Sequence, residues 1–141
     1  EACRALEDKT TGAIRGNISS CSHLSQSLLL HALRAPDYRE EKRRKFELMR
    51  ARYRAVKAVL EKNRDRFEEY FLPLPFNSGY FMCLRLNGLD PESVRQHLLD
   101  RYDTGVVAVQ GLLRVAFSSV PEENISELFE NIYRACGDLS R

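Results

Sequence analysis

The sequence predicts a mixed α/β (α+β) fold, in which a three-stranded, mostly antiparallel sheet carries helices on one face and follows one long helix. Three observations lead to this prediction. An apolar stripe with helical spacing runs through residues 37–71. β-prone runs alternate with helical segments after Gly79. Two of those runs flank the dipeptide Gln110-Gly111, which can form a tight hairpin turn.

The N-terminal part is predicted to contain a helix after a segment that is either an irregular lead-in or the tail of an element that begins outside this sequence. Residues 1–12 show little pattern. Residues 13–35 contain a predicted helix that starts at one of the serines of residues 19–22, because serine side chains cap helix N-termini. Pro36 ends this helix, since the residue before a proline disfavours the α conformation.

A second, long helix is predicted over residues 37–71. Asp37 can cap its first turn, with Glu40 three residues later as in a capping box. The helix would be roughly 50 Å long, more than the ~35 Å diameter of a globule of this size, so we expect it to bend or to lean on something beyond the chain. Pro73 and Pro75 end it. Its apolar stripe consists of Phe46, Met49, Tyr53, Val56, Leu60 and Phe67.

Residues 79–137 are predicted to form the sheet-and-helix core. Asp90 caps a short helix that has Pro91 in its first turn. The last helix begins near Pro121 and ends at Gly137, since glycine is common just past helix C-termini. The strands are predicted at residues 80–86, 106–109 and 112–117.

Composition is that of an ordinary single-domain globular protein. The chain has 141 residues, 43% hydrophobic and 30% charged, and no apolar run long enough to cross a membrane. The 22 basic and 20 acidic residues nearly cancel, which argues against bulk attraction to polyanions. The four cysteines form no Cys-x-x-Cys pair, which argues against zinc ribbons and thioredoxin-like redox motifs, and we expect no metal site. An even number of cysteines leaves a disulfide framework formally possible. A chain of this length with its own core does not need one, so we expect a reduced, cytoplasmic environment.

The basic run at residues 42–45 is typical of a nucleic-acid patch. However, Glu40, Glu41 and Glu47 lie among the bases at spacings that allow pairing along a helix. We therefore interpret the run as a solvated helix face and do not expect nucleic-acid binding.

Arg114 lies in the otherwise apolar run at residues 112–117. Its side chain either faces solvent on an edge strand or is partly buried and binds an anion, for which a carboxylate suits the planar guanidinium. Composition alone favours the solvent-facing alternative, because arginine is seldom buried unpaired. The residues themselves show no phosphate-binding glycine loop and no lysine in an apolar setting.

Three segments resemble the C-terminal small domain of fold-type I (class I/II) pyridoxal-phosphate-dependent aminotransferases. Residues 14–26, IRGNISSCSHLSQ, resemble the family segment that follows the cofactor lysine. Residues 75–84, PFNSGYFMCL, resemble the start of the first small-domain strand, with Gly79 and Phe81 as the matching pair. Residues 112–131, LLRVAFSSVPEENISELFEN, are similar to the closing strand and helix.

The resemblance implies a role for four residues of this chain. Arg114 corresponds to the family arginine that binds the substrate α-carboxylate. Arg15 corresponds to an arginine that, in aspartate-type members, reaches across a dimer interface to a side-chain carboxylate. Ser19 and Ser20 would lie near the cofactor phosphate. The run at residues 20–22, Ser-Cys-Ser, departs from the family's Asn-Pro-Pro, which leaves a preference for dicarboxylic substrates open.

The resemblance also implies partners and a cofactor. They are amino-acid and 2-oxo-acid substrates, a large domain in the same parent chain, a second copy in a homodimer, and pyridoxal 5'-phosphate in the parent enzyme. The family's cofactor lysine, its pyridine-binding aspartate and its phosphate loop belong to that large domain. We therefore expect a fragment of a larger chain that starts at Glu1 without a methionine, has no catalytic residue, binds no cofactor alone and is inactive alone.

Two questions stay open at this stage. A free-standing helical interaction module, or a nucleic-acid-binding module, is the alternative to an enzyme domain, and the upstream coding sequence would distinguish them. The parent reaction is also open, because this fold hosts transamination, elimination and decarboxylation.

Overall fold

The computed structural model describes residues 2–19, 22–77 and 79–140. The chain forms two compact units, Glu1–Arg43 and Arg44–Arg141. None of the described helices is both long enough and apolar enough to span a membrane.

The first unit is built from helices with no buried side chain. These are α1 (Ala2–Asn17) and α2 (His23–Arg34). The Ser22 hydroxyl caps α2 by accepting a hydrogen bond from the Ser25 amide at 3.5 Å. α1 corrects the prediction of an irregular lead-in at residues 1–12. The residues there are mostly good helix formers, but no apolar stripe among them gave a periodic signal.

The long helix is shorter than predicted. α3 (Tyr38–Lys62) is followed by the four-residue α4 (Arg64–Phe67), so the predicted helix over residues 37–71 is interrupted. The interruption falls at Asn63, whose side-chain amide donates to the Val59 carbonyl at 2.8 Å. Such a bond competes with the helical backbone. The 25 residues of α3 span about 37 Å, close to the diameter expected of a globule of this size, so the reason to expect a bend no longer holds.

The sheet has four strands rather than the predicted three. The additional strand is β1, an edge strand, and the order is β1-β2-β4-β3 with every neighbouring pair antiparallel. β1 was missed because Pro73 and Pro75 were interpreted only as a helix stop, whereas proline is tolerated in an edge strand. The strands are β1 (Phe71–Pro73), β2 (Met82–Leu86), β3 (Val107–Val109) and β4 (Leu112–Val115).

The remaining helices follow the predicted signals, with one correction. Asp90 caps α5 (Pro91–Tyr102) by accepting from the Ser93 amide at 2.9 Å. α6 (Ile125–Leu139) continues past Gly137, the predicted stop. Two short 3₁₀ turns, at Phe117–Ser119 and Glu122–Asn124, connect β4 to α6.

The core lies on one face of the sheet, as predicted. Leu84 and Leu113 are fully buried and form a cross-strand pair, and Met82 pairs with Val115 in the same layer. Side chains of the helices cover this layer. The fully buried ones are Val56 of α3, Val94 and Leu98 of α5, and Ile125, Phe129, Ile132, Ala135 and Cys136 of α6. The alternating residues of β2, β3 and β4 point to the opposite face, called the open face here.

Candidate functional site

Arg114 lies in β4 on the open face. It is half-buried, between the fully buried Leu113 and the nearly fully buried Val115 of the core face. Its direct cross-strand partners are Cys83 in β2 and Val107 in β3. Directly opposed residues of antiparallel strands project to the same side. Arg114 therefore shares the open face with a thiol on one side and an aliphatic side chain on the other.

The Arg114 guanidinium rests on an aromatic ring. Its central carbon lies 4.8 Å from the centroid of the Phe81 ring, a cation–π distance. The Nε atom is buried and makes no hydrogen bond within the described part of the chain. A buried donor without an acceptor costs about 1–3 kcal/mol. The arrangement therefore favours an external acceptor at this guanidinium.

Two hydrogen bonds hold the segment that leads to Phe81 and β2. The Gly79 amide donates to Asn77 Oδ1 at 3.1 Å, and this short turn brings the chain into β2. The Tyr80 carbonyl accepts from the Ser118 amide at 3.4 Å. Both bonds hold the backbone directly before Phe81, whose half-exposed ring lies against Arg114.

Arg52 also supports the candidate site, and the sequence did not predict this role. It lies in α3, and its guanidinium donates to the Ser118 carbonyl. Its Nε is also buried and makes no hydrogen bond within the described residues. The contact ties α3 to the segment after β4 that positions Tyr80. Arg52 follows the basic run in the sequence, and its partner lies 66 positions away, so no local pattern indicates this contact.

A hollow of about 530 Å³ opens beside Phe81. Pro75, Phe76, Phe81 and Cys83 contribute to its lining. Its walls thus include the ring that supports Arg114 and the thiol that faces Arg114 across the strands. The hollow is largely open to solvent, so small molecules can reach the Cys83 side of it.

The other residues predicted from the resemblance lie in the first unit. Arg15 is exposed in the last turn of α1. Ser19 is exposed, has a positive φ of 66° and donates its amide to the Ile14 carbonyl at 3.0 Å, as in a helix C-terminal turn. Ser20 and Cys21 lie outside the described residues.

A second polar cluster joins α5 to α6. His97 Nε2 lies 3.0 Å from Asp138 Oδ2, and the Tyr102 hydroxyl donates to the same oxygen at 2.8 Å. Burial and the bond to Asp138 raise the pKa of Tyr102 above its usual value. The sequence did not indicate a partner for His97, because Asp138 is 41 positions away. The cluster fastens two helices of the core and does not adjoin the open face.

Acidic and basic side chains pair along α3. Arg43 contacts Glu40 at 2.6 Å and Arg50 contacts Glu47 at 3.7 Å, both three residues apart and exposed. The pairing agrees with the interpretation of this run as a solvated face.

Residues 2–132 match the family described as Aminotransferase class I and II. The chain belongs to this family. The resemblance expected from its three segments is thereby confirmed.

Solved structures show the same fold. The α-aminoadipate aminotransferase LysN from Thermus thermophilus, complexed with N-(5'-phosphopyridoxyl)-L-leucine, is 21% identical, with a TM-score of 0.73. The match covers 97% of this chain and 36% of LysN. An aminotransferase from Anaerococcus prevotii is 16% identical, with a TM-score of 0.70, over 96% of this chain and 32% of that one. The chain thus spans about a third of the length of these relatives. None of the curated proteins matches it.

Pyridoxal phosphate is the cofactor of this family, and the described residues offer it no sheltered lysine. The cofactor needs a lysine amine in a sheltered setting, and all five lysines of the chain are exposed. In the described residues no group of three His, Cys, Asp or Glu could hold a metal ion. The open face instead offers a guanidinium, which fits a carboxylate.

Proposed function

We propose that this chain is the C-terminal domain of a pyridoxal-phosphate-dependent aminotransferase and that Arg114 binds the α-carboxylate of its substrates. The buried Nε of Arg114, which makes no hydrogen bond within the described chain and lies beside the Phe81 ring, carries the proposal. Membership in the aminotransferase class I and II family supports it.

The geometry of Arg114 suits two substrates that each carry an α-carboxylate. A guanidinium offers two parallel N–H donors to the two oxygens of a carboxylate, and such charge-assisted bonds contribute about 1.5–3 kcal/mol. Amino acids and 2-oxo acids both carry this group, so the same contact serves both directions of a transamination. The Phe81 ring lies against the guanidinium and supports it on one side.

The cofactor chemistry is assigned in this proposal to a large domain of the parent chain. That domain would hold pyridoxal phosphate, which supplies the electron sink. This chain would close over the site and orient the substrate. Since no lysine of the chain is sheltered, the chain alone would form no stable bond to the cofactor and would be inactive.

Residues of the first unit have a part in the same proposal. Arg15, exposed at the end of α1, would reach the site of a second subunit in a homodimer and bind the side-chain carboxylate of acidic substrates. Ser19 and Ser20 would lie near the cofactor phosphate. The protein would act in the cytoplasm.

The test compares the parent enzyme with this chain. Each is mixed with pyridoxal phosphate, an amino acid and a 2-oxo acid, and product formation is measured. We expect transamination by the parent and none by the chain. Borohydride reduction followed by peptide mapping then checks the chain for a labelled lysine. Stoichiometric labelling of one lysine in the chain, or a parent that transfers no amino group, would contradict the proposal.

A further inference from the structure

We propose that Cys83 is a covalent modification site that selects thiol-reactive compounds carrying a carboxylate, because Arg114 holds that carboxylate beside the thiol. The inference rests on the proposed function, since it uses the same guanidinium. A small electrophile that reacts with Cys83 would block the proposed substrate site at Arg114.

The register of the sheet places the two groups together. Cys83 and Arg114 are direct partners across β2 and β4. The Cβ atoms of such partners lie about 4.5–5.5 Å apart, on the same side of the sheet. Both side chains are half-buried, so each is reachable and partly shielded from solvent.

Two further observations point to a ligand at this place. The Arg114 Nε is buried and makes no hydrogen bond within the described residues, which favours an anionic acceptor. The hollow of about 530 Å³ beside Phe81 has Cys83 in its wall. Arg114 does not itself line the hollow, but it lies directly across the strands from Cys83. A small acid whose reactive carbon faces the Cys83 sulfur therefore has its carboxylate within reach of the guanidinium.

The other described cysteines lack this environment. Cys3 is exposed on α1, in the other unit. Cys136 is fully buried in α6, and burial raises the pKa of its thiol to about 12, which keeps it protonated and unreactive. Cys21 lies outside the described residues. Cys83 alone among the described thiols is both reachable and directly opposite a cation.

The reaction with iodoacetate illustrates the step. The Cys83 sulfur, after loss of its proton to solvent, attacks the methylene carbon, a carbon–sulfur bond forms, and iodide leaves with the electrons of the carbon–iodine bond. The product is a thioether that ends in a carboxylate. That carboxylate remains next to Arg114 and occupies the position proposed for the substrate.

The experiment uses iodoacetate and its neutral analogue iodoacetamide on the full chain. Alkylation rates of Cys83 and Cys3 are followed by peptide mass spectrometry, and Cys3 serves as the internal reference. We expect the iodoacetate-to-iodoacetamide rate ratio to be about fivefold higher at Cys83 than at Cys3, as one nearby opposite charge produces. Raising the ionic strength should reduce this preference in the unsubstituted chain, because salt screens the attraction.

Two substitutions identify the responsible cation. Arg114→Gln should abolish the preference at Cys83. Arg85 is an exposed cation on the same face of β2, but it is not opposite Cys83. Arg85→Gln should therefore leave most of the preference for iodoacetate at Cys83. Equal ratios at Cys83 and Cys3, or an equal loss in both variants, would overturn the inference. A further outcome separates the two proposals. If substitution of Arg114 changes the Michaelis constant of the parent enzyme but Cys83 shows no preference for iodoacetate, this inference is refuted and the proposed function stands.

Discussion

The guanidinium carbon of Arg114 lies 4.8 Å from the centroid of the Phe81 ring. The two residues come from separate segments of the sequence, one at the start of β2 and one in β4, and pairing of these strands brings them together. The contact explains why an aromatic residue stands two positions after Gly79. It provides the surface on which the arginine rests.

Phe81→Leu tests the support that the ring gives to Arg114. A cation–π contact at a half-exposed ring contributes about 0.5–1 kcal/mol, and Phe81 is 50% exposed. In the parent enzyme we expect the Michaelis constant to rise about two- to fivefold for every amino-acid substrate, with little change in kcat. Phe46→Leu makes the same change at an exposed ring of α3 and is the matched control. Equal effects of the two substitutions would mean that the ring does not position Arg114.

The sequence was most informative where a local signal determines the structure. Asp90 caps α5 as its position before Pro91 predicted. Gln110 and Gly111 form the hairpin turn with positive φ angles of 49° and 76°, which this kind of turn requires. β1 was missed because a strand of three residues that contains a proline has no local signal, and it exists only through its pairing with β2.

The candidate site was predictable only in part. Arg114 stood out because a cation interrupts an apolar strand, and the resemblance assigned it a role. Its environment was not predictable, since the Phe81 ring, the Cys83 thiol and the Arg52 contact are set by strand register and helix packing over long sequence separations. Periodicity along the chain contains no information about such pairs.

Self-association is expected from the exposed leucines of α2. Leu24 is 68% exposed and Leu28 is 62% exposed. A continuous apolar surface of this kind tends to be covered by another protein surface. We expect the chain to self-associate in sedimentation runs at increasing concentration. Glutamate at both positions should weaken the association at least about tenfold.

The matched control for α2 replaces serines on the same helix. Ser25→Glu with Ser27→Glu adds the same two charges at exposed polar positions. This variant should associate nearly as well as the unsubstituted chain. A monomer at every concentration, without any substitution, would refute the expectation.

Cys136 should make the stability of the chain fall at alkaline pH. Burial raises the pKa of its thiol from 9.0 to about 12 in the folded chain. Above pH 9 the unfolded chain loses this proton and the folded chain does not, so the contribution is complete below pH 9 and is lost as the pH rises towards 12. The free energy of unfolding should fall by up to about 1.4 kcal/mol per pH unit from this group.

Cys136→Ala isolates that contribution. The pKa values of Tyr102 and Tyr133 are also raised by burial, but both tyrosines are common to the two proteins. The difference in unfolding free energy between the chain and the variant, measured by urea denaturation, should therefore shrink between about pH 8 and pH 10.5. A constant difference over this range would show that the thiol ionises in the folded chain.

Arg15→Lys tests the part of the proposal that concerns substrate choice. If Arg15 binds a side-chain carboxylate, its substitution in the parent enzyme should lower kcat/KM for an acidic amino acid about 10-fold or more and leave a neutral one nearly unchanged. Lysine keeps the charge and loses the planar fork, so the loss reports geometry. If the substitution leaves kcat/KM unchanged for both substrates, Arg15 does not bind the side-chain carboxylate.

The most direct test of the account is kcat/KM of the Arg114→Lys parent enzyme for one neutral and one acidic amino acid. All substrates share the α-carboxylate, so loss of a bidentate contact that contributes about 1.5–3 kcal/mol should lower kcat/KM about 10- to 150-fold for both. The fold reduction in kcat/KM should be the same, within error, for the neutral and the acidic amino acid. Unchanged kcat/KM for both substrates would show that Arg114 does not bind the carboxylate, and would contradict the proposed substrate site even though the fold is that of the family.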